Sequence, residues 1–552
     1  MEITAFTDAS FPWLTLLVVL PTVGGALVGL VPALRRRGRA LALGLSVVEL
    51  ALVIAAALTS FDWAQSSTYQ MVEAHAWIPQ IGVSWALGVN ALGLVMLLLA
   101  TALVPLVLLA GWKDDADSPS DQGAYAALVL VLEAFIVVIF GAFDVVLFYI
   151  AFEGMLIPLY FMIGRYGVGD PQARRHAAIK FLLYSLAGGL AMLGGLVAFA
   201  AFAPDGAPAD TLFRLDTASQ VAPGFSSGVQ MGIFITFLIA FAIKAPMVPV
   251  HTWLPDTAAA ARPGTSTLLV GVLDKIGTFG MITLCLRLFP DASASAKWVL
   301  CALAVLSILW GGLAAIGQTD VMRLVSYTSV SHFGFMVLGI FIGSSVALTG
   351  AMFYMVAHGI SIAALFLISG FLTERGGSRD IAHYRGMQRV TPVIAGTWLV
   401  AGLATIALPG LSGFVPEFLV LMGTYRVNVL LAILAVLGVV IAALYILLPY
   451  QKIFTGPARE GVDALPDMDG REKTVVVPLI AAMAVLGIWS APLVGALTPV
   501  AQDAAAAVET TSSAEAWGPA APQTGDALVA DGTTPAALSA STRAGADEGS
   551  TK

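Results

Sequence analysis

The sequence predicts an all-α polytopic membrane protein of about fourteen transmembrane helices, with two inverted five-helix repeats that each contain a discontinuous helix. Three observations predict it. Hydrophobic residues make up 58% of the 552 and charged residues only 11%, which excludes an ordinary soluble enzyme. Apolar runs long enough to span a bilayer recur from end to end. Basic residues concentrate in alternate loops, as they do between spans of alternating direction.

The spans are expected near 11–33, 40–60, 85–111, 124–142, 144–164, 176–203, 229–258, 264–288, 298–317, 320–343, 346–373, 391–425, 428–453 and 474–498. They are apolar all round, whereas barrel strands alternate in character, so strands are a poor reading of them. Five regions follow: flanking helices 1–3 in 1–123, a first repeat in 124–290, a second in 291–455, a loop and the last helix in 456–500, and an acidic tail in 501–552. Each repeat has five helices, and an odd number starts the second repeat on the opposite membrane face, which inverts it.

Of the 27 Lys and Arg residues, 19 fall in one set of loops, including Arg35, Arg36, Arg37, Arg39 and Arg375, Arg379, Arg385, Arg389. That side is expected to be cytoplasmic, with both termini outside. Glu2 and Asp8 precede the first apolar run and the basic cluster follows it, so the start does not read as a cleavable signal. The tail holds seven acids and two bases and is rich in Ala, Gly, Ser and Thr. It reads as disordered and accounts for much of the acidic pI of 5.3. Cys285 and Cys301 are too few for a zinc or iron–sulfur site, and no nucleotide-binding glycine loop occurs. Redox chemistry would therefore belong to a partner.

Chemistry concentrates where charges interrupt the spans. Lys244 lies in FAIKAPMVPVHTWLPDT, straight after an apolar run, and Pro246 and Pro249 break the helix behind it. A lysine at that depth costs about 2.5–3.5 kcal/mol on insertion scales, and a charge beside a broken helix is how ion-coupled transporters build a site. The device recurs at Glu417, which follows Pro416 in LPGLSGFVPEFLVL. Glu153 lies nine residues past Asp144 inside the fifth helix and is the expected partner of Lys244. Paired, Lys244 keeps its proton; unpaired in a low dielectric, it can release it. Lys275 sits about 16 Å into the eighth helix at 1.5 Å per residue, the middle of the bilayer. Asp274 is beside it but points about 100° away on a regular helix, consistent with a contact to another helix. His332 and His358, with Ser326, Tyr327, Thr328, Ser329 and Ser331 near the first, suit a hydrated proton wire. His251 follows both prolines, so its direction is not legible. Glu133 could link the chain to a neighbour or bond within the bundle, and Glu49 reads as a packing or lipid-boundary residue. Asp144 and Asp274 complete the candidates.

FEGMLIPLYF, FAIKAPMVPVHTWLPD, SYTSVSHFGFM, AHGISIAALF and FVPEF resemble the antiporter-like membrane subunits of respiratory complex I, over about residues 85–455. Among these the chain is most similar to the M, or chain 4, type, because Glu417 stands where L- and N-type chains are expected to carry lysine. The resemblance implies a proton-translocating subunit of NADH–quinone oxidoreductase in a plasma or inner membrane. Its relay would run through Glu153, Lys244, Lys275, His332, His358 and Glu417. FMN, iron–sulfur clusters and quinone would sit in partner subunits, with L- and N-type neighbours, a hetero-oligomer in the lipid bilayer and no nucleic acid. A multi-subunit sodium/proton antiporter and a membrane-bound hydrogenase share most of these motifs. A structural scaffold whose polar residues only join helices would leave two midplane lysines without a purpose.

Overall fold

The computed structural model describes residues 5–114 and 118–512. Among them, twelve helices are long and apolar enough to cross a membrane, or thirteen if a bent pair counts as one. In chain order they are α1 Trp13–Leu30, α2 Gly38–Thr59, α3 Ala91–Ala110, α4 Pro119–Gly141, α5 Val145–Gly164, α6 Pro171–Ala201 and α7 Ser227–Lys244. The short α8 Trp253–Ala260 leads into α9 Pro263–Leu286, α10 Pro290–Ile316, α11 Val321–Phe341 and α12 Ser345–Gly376. Two 14-residue helices, α13 Pro392–Thr405 and α14 Phe414–Val427, precede α15 Val429–Phe454, α16 Gly470–Ile488 and α17 Ala491–Ser512.

Helices α9, α11 and α12 are enclosed by their neighbours almost throughout, whereas α1, α2 and α15 turn much of their apolar surface outward. The enclosed three carry Asp274, Lys275, His332 and His358. In a medium without water their polar groups must find partners inside the bundle.

Four sequence expectations need correction. The third helix starts at Ala91, not 85, because Val83–Val89 is a strand, β3. It pairs antiparallel with β2, Tyr69–Ile78, and β2 pairs in parallel with β1, Phe6–Asp8. The last span is bent by 71° between α16 and α17. The helix over 391–425 is discontinuous as expected, but its break lies at 406–413, before Pro416 rather than at it, and neither piece is long enough alone to span. The expected tail from 501 begins as helix: α17 continues to Ser512, with Ala501, Ala504 and Ala505 buried. Asp503 there forms an ion pair with Arg287 at 2.9 Å. The remainder of the tail, 513–552, lies outside the described residues.

Two acids tie the sheet to the bundle. Glu73 on β2 accepts hydrogen bonds from Leu14 N at 2.7 Å and Thr15 N at 3.0 Å, capping α1. Asp144 is the N-cap of α5: Oδ1 accepts from Val146 N and Leu147 N, and Oδ2 accepts from Ser84 N of β3, all at 2.9 Å. A capping carboxylate satisfies backbone donors that otherwise lack partners. Asp144→Ala is expected to cost about 0.5–2 kcal/mol of stability, read as a lower unfolding midpoint in detergent. An unchanged midpoint would show that the cap is dispensable. In the loop before α16, the hydrogen bond from Lys113 beside Asp469 holds its carboxyl down at about 2.

Candidate functional site

Two breaks of equal length organise the site. Helix α7 ends at Lys244 and α8 begins at Trp253; α13 ends at Thr405 and α14 begins at Phe414. Residues 245–252 and 406–413 therefore form eight-residue interruptions. At the first, Pro246 and Pro249 supply no N–H, and Val248 N donates to Ser307 Oγ of α10 at 3.0 Å. At the second, Ala407 takes the left-handed φ of 58°, rare for a residue with a Cβ. Lys244 sits in the last turn of α7 and Glu417 in the first turn of α14. A cation at a helix C-terminus and an anion at an N-terminus each interact favourably with the macrodipole, by about 0.3–1 kcal/mol. The opposite signs of the two residues thus match the opposite ends they occupy.

In the half of the site at the first break, Lys244 itself makes no direct ion pair among the described residues. Glu153 and Lys244, expected to pair, do not touch, and Glu153 Oε1 and Lys244 Nζ have no hydrogen-bond partner among the described residues. Lys244 Nζ instead lies over the rings of Phe181 at 5.4 Å and Trp253 at 5.8 Å. Trp253 is held by its Nε1–H on Ile243 O at 3.0 Å. Asp274, expected to serve another helix, lies within Coulombic range of both Lys244 and Lys275, and both its oxygens are buried without partners. The order of charge is therefore Glu153, Lys244, Asp274, Lys275, alternating in sign. His251 is buried, with its ring edge-on to Tyr327 at 6.2 Å and Nδ1 without a partner.

Two glycines allow this packing. A Cβ at Gly189 of α6 would collide with Glu153 Oε1. A Cβ at Gly277 would come within 2.5 Å of Ala245 N and 2.6 Å of Phe241 O, so only glycine lets α9 lie against the end of α7. Gly189→Ala is expected to displace the Glu153 carboxylate and lower proton translocation about tenfold, a barrier change of about 1.4 kcal/mol. Wild-type translocation in the assembled variant would show that the carboxylate does not need its present position.

The other half is joined by hydrogen bonds. The π-type turn at Leu269–Leu273 widens α9 just before Lys275, and such turns recur at functional sites. Lys275 Nζ donates to Val270 O and hydrogen-bonds His358 Nδ1 at 2.8 Å. It also lies 5.2 Å from the Phe333 ring centre. The rings of His358 and His332 are 5.1 Å apart. His332 Nδ1 meets Tyr354 OH at 2.8 Å, and Tyr354 OH donates to Glu417 Oε2 at 2.6 Å. Tyr445 OH meets His332 Nε2 at 3.0 Å. One hydroxyl hydrogen cannot serve two acceptors. Because Tyr354 donates to Glu417, His332 donates from Nδ1, and Tyr445 donates to Nε2. Glu417 is buried, as expected from its apolar flanks.

Tyr354 and Tyr445 were not among the sequence candidates. Tyr354 lies one turn before His358 on the same face of α12, and Tyr445 is the one hydroxyl in the stretch of α15 before Tyr450. Buried tyrosine hydroxyls usually have a partner, which is the signal that marks them. Glu133 and Glu49 are apart from this row. Both are buried, and none of their carboxylate oxygens has a hydrogen-bond partner among the described residues. The described residues hold no cluster of three or more His, Cys, Asp or Glu side chains suited to a metal.

A broken-helix bundle with charges buried along its middle defines a membrane subunit of the antiporter-like class. The chain belongs to the family described as NADH:quinone oxidoreductase/Mrp antiporter, TM, whose model matches residues 142–442. NADH-quinone oxidoreductase subunit M of Mycobacterium tuberculosis is 41% identical, over 95% of this chain and 99% of that one. Subunit M of Rhodobacter capsulatus is 35% identical, over 86% of this chain and 93% of that one. Among solved structures, a chain of respiratory complex I from Thermus thermophilus with bound NADH has a TM-score of 0.80 at 31% identity, covering 90% and 99%. A chain of the Mrp complex from Dietzia has a TM-score of 0.79 at 20% identity, a likeness of fold alone.

Proposed function

We infer that the chain translocates protons as a membrane-arm subunit of an NADH–quinone oxidoreductase. The observation that carries the reading is the buried row from Glu153 through Lys244, Asp274, Lys275, His358, His332 and Tyr354 to Glu417. Protons from the cytoplasmic side pass the Glu153–Lys244 end, reach Lys275, transfer through the histidines and Tyr354, and leave near Glu417. Lysine and histidine give and take protons, and burial makes each transfer sensitive to the charge beside it. Phe181 and Trp253 favour Lys244 in its charged form, because their ring faces attract the ammonium. The drive comes from electron transfer in partner subunits, where FMN, iron–sulfur clusters and quinone reside; this chain supplies the path. L- and N-type subunits are its neighbours, and both termini face outward across the cell membrane.

The two blocks 124–290 and 291–455 act as inverted repeats. Their matched eight-residue breaks support this. So do the Asp N-caps at Asp144 and Asp320, which open the second helix of each block.

The test is to tag the chain, extract it gently and assay the purified material for flavin, iron–sulfur absorbance and NADH–quinone activity. All three are expected to co-purify. Isolation with antiporter-like subunits alone, without redox centres, would transfer the function to a sodium/proton antiporter.

A further inference from the structure

Glu49 and Glu133 lie outside the row, and their placement follows from how α2 and α4 pack. Gly38 opens α2 against Gly123 of α4: a Cβ on Gly38 would stand 2.7 Å from Gly123 Cα. Two helical turns further along, a Cβ on Gly24 of α1 would meet Leu45 of α2 at 2.5 Å and Leu130 of α4 at 3.4 Å. With α3 returning between them, α2 and α4 cross in the same sense and stay in register. Glu49 is one turn beyond Leu45, and Glu133 is one turn beyond Leu130, each on its leucine's face. The two carboxylates therefore reach the same depth on facing sides of adjacent helices, about 15–16 Å above the glycine contact at 1.5 Å per residue.

Among the described residues, their surroundings supply no counter-charge. Glu49 is 1% exposed and Glu133 is fully enclosed, and all four carboxylate oxygens lack a hydrogen-bond partner. Helices α1 and α3, which pack against both, carry no titratable side chain. Arg39 is at the cytoplasmic end of α2, on the carbonyls of Trp112 and Asp114. Asp121 and Tyr125 begin α4, bound to Arg165 and Thr265. Tyr149, Glu153 and Tyr160 on α5 and Lys275 on α9 pack on the other side of α4, where Phe135 meets Gly154. Ser46 donates to its own helix at Leu43 O.

Two enclosed carboxylates without a cation cannot both be ionised; like charges at such a site share a proton. We propose that Glu49 and Glu133 form a proton-binding carboxyl pair, in which one carboxyl donates its hydrogen to the other, separate from the row that ends at Glu417. The ligand is a proton; with it bound, one O–H···O bond joins α2 to α4 and satisfies two of the four orphan oxygens.

The test is infrared spectroscopy of the assembled complex at neutral pH, in H2O and D2O. A protonated-carboxyl C=O band that shifts down in D2O is expected in the wild type and lost in both Glu49→Gln and Glu133→Gln. A band unchanged in both variants would overturn the proposal, since the pair would then be ionised and held by a cation. If a glutamine variant does not assemble, Glu49→Lys decides. It supplies the missing positive charge opposite Glu133, so it should assemble and lose the same band; retention of the band would overturn the pair.

Discussion

Lys244→Ala is expected to cut NADH-driven proton uptake by vesicles at least tenfold, a rise of about 1.4 kcal/mol in the limiting barrier. Lys244 Nζ is enclosed against two aromatic faces and is the only cation between Glu153 and Asp274 in the charge order. Removing one partner of a buried charge set costs about 3–5 kcal/mol unless the remaining carboxylates take up protons. Taking them up abolishes the alternation of sign that would move a proton along. Lys244→Arg separates the two roles of the side chain. Arginine keeps the charge but does not give up its proton, so it should preserve assembly and still fail to translocate. Wild-type proton uptake in the arginine variant would make Lys244 a fixed counter-charge, and wild-type uptake in both variants would remove it from the path.

Tyr354→Phe is expected to lower translocation about a hundredfold, within the range for loss of a positioned proton-transfer group. Its hydroxyl joins His332 Nδ1 to Glu417 Oε2, at 2.8 and 2.6 Å. Phenylalanine keeps the ring and its packing but leaves His332 Nδ1 and Glu417 Oε2 without this partner, so stability should fall by about 1–3 kcal/mol for each group left unsatisfied. Tyr445→Phe removes the partner on the other nitrogen of the same imidazole, off the route to Glu417, and should have the smaller effect. Equal losses in the two variants would mean that both hydroxyls merely orient His332.

Much of this arrangement was legible in the sequence because membrane depth makes polar residues conspicuous. Pro246 and Pro249 cannot continue a helix, so the break behind Lys244 was readable, and the apolar flanks of Glu417 announced its burial. The partner of Lys244 was not legible. The 100° separation of Asp274 from Lys275 assumes a regular helix, and the π-type turn at Leu269–Leu273 leads directly into this pair. Most of strand β3 was absorbed into the third helix because WALGV, residues 85–89, runs into that helix with only Asn90 between them. The helical start of the tail packs into the bundle and pairs Asp503 with Arg287, 216 residues away in the chain. No local pattern reports such a contact. Tyr354 was missed for a different reason: attention to charge passes over a neutral hydroxyl one turn from a histidine.

The close approaches at Gly189 and Gly277 bear on genetics. Both positions are chemically inert, yet one added carbon at either would press on Glu153 or on the end of the Lys244 helix. A screen for cells that assemble this enzyme but fail to energise their membrane should therefore recover glycine codons on α6 and α9 alongside those of the ionisable residues. Mutations of that kind would look conservative by every measure of charge or polarity.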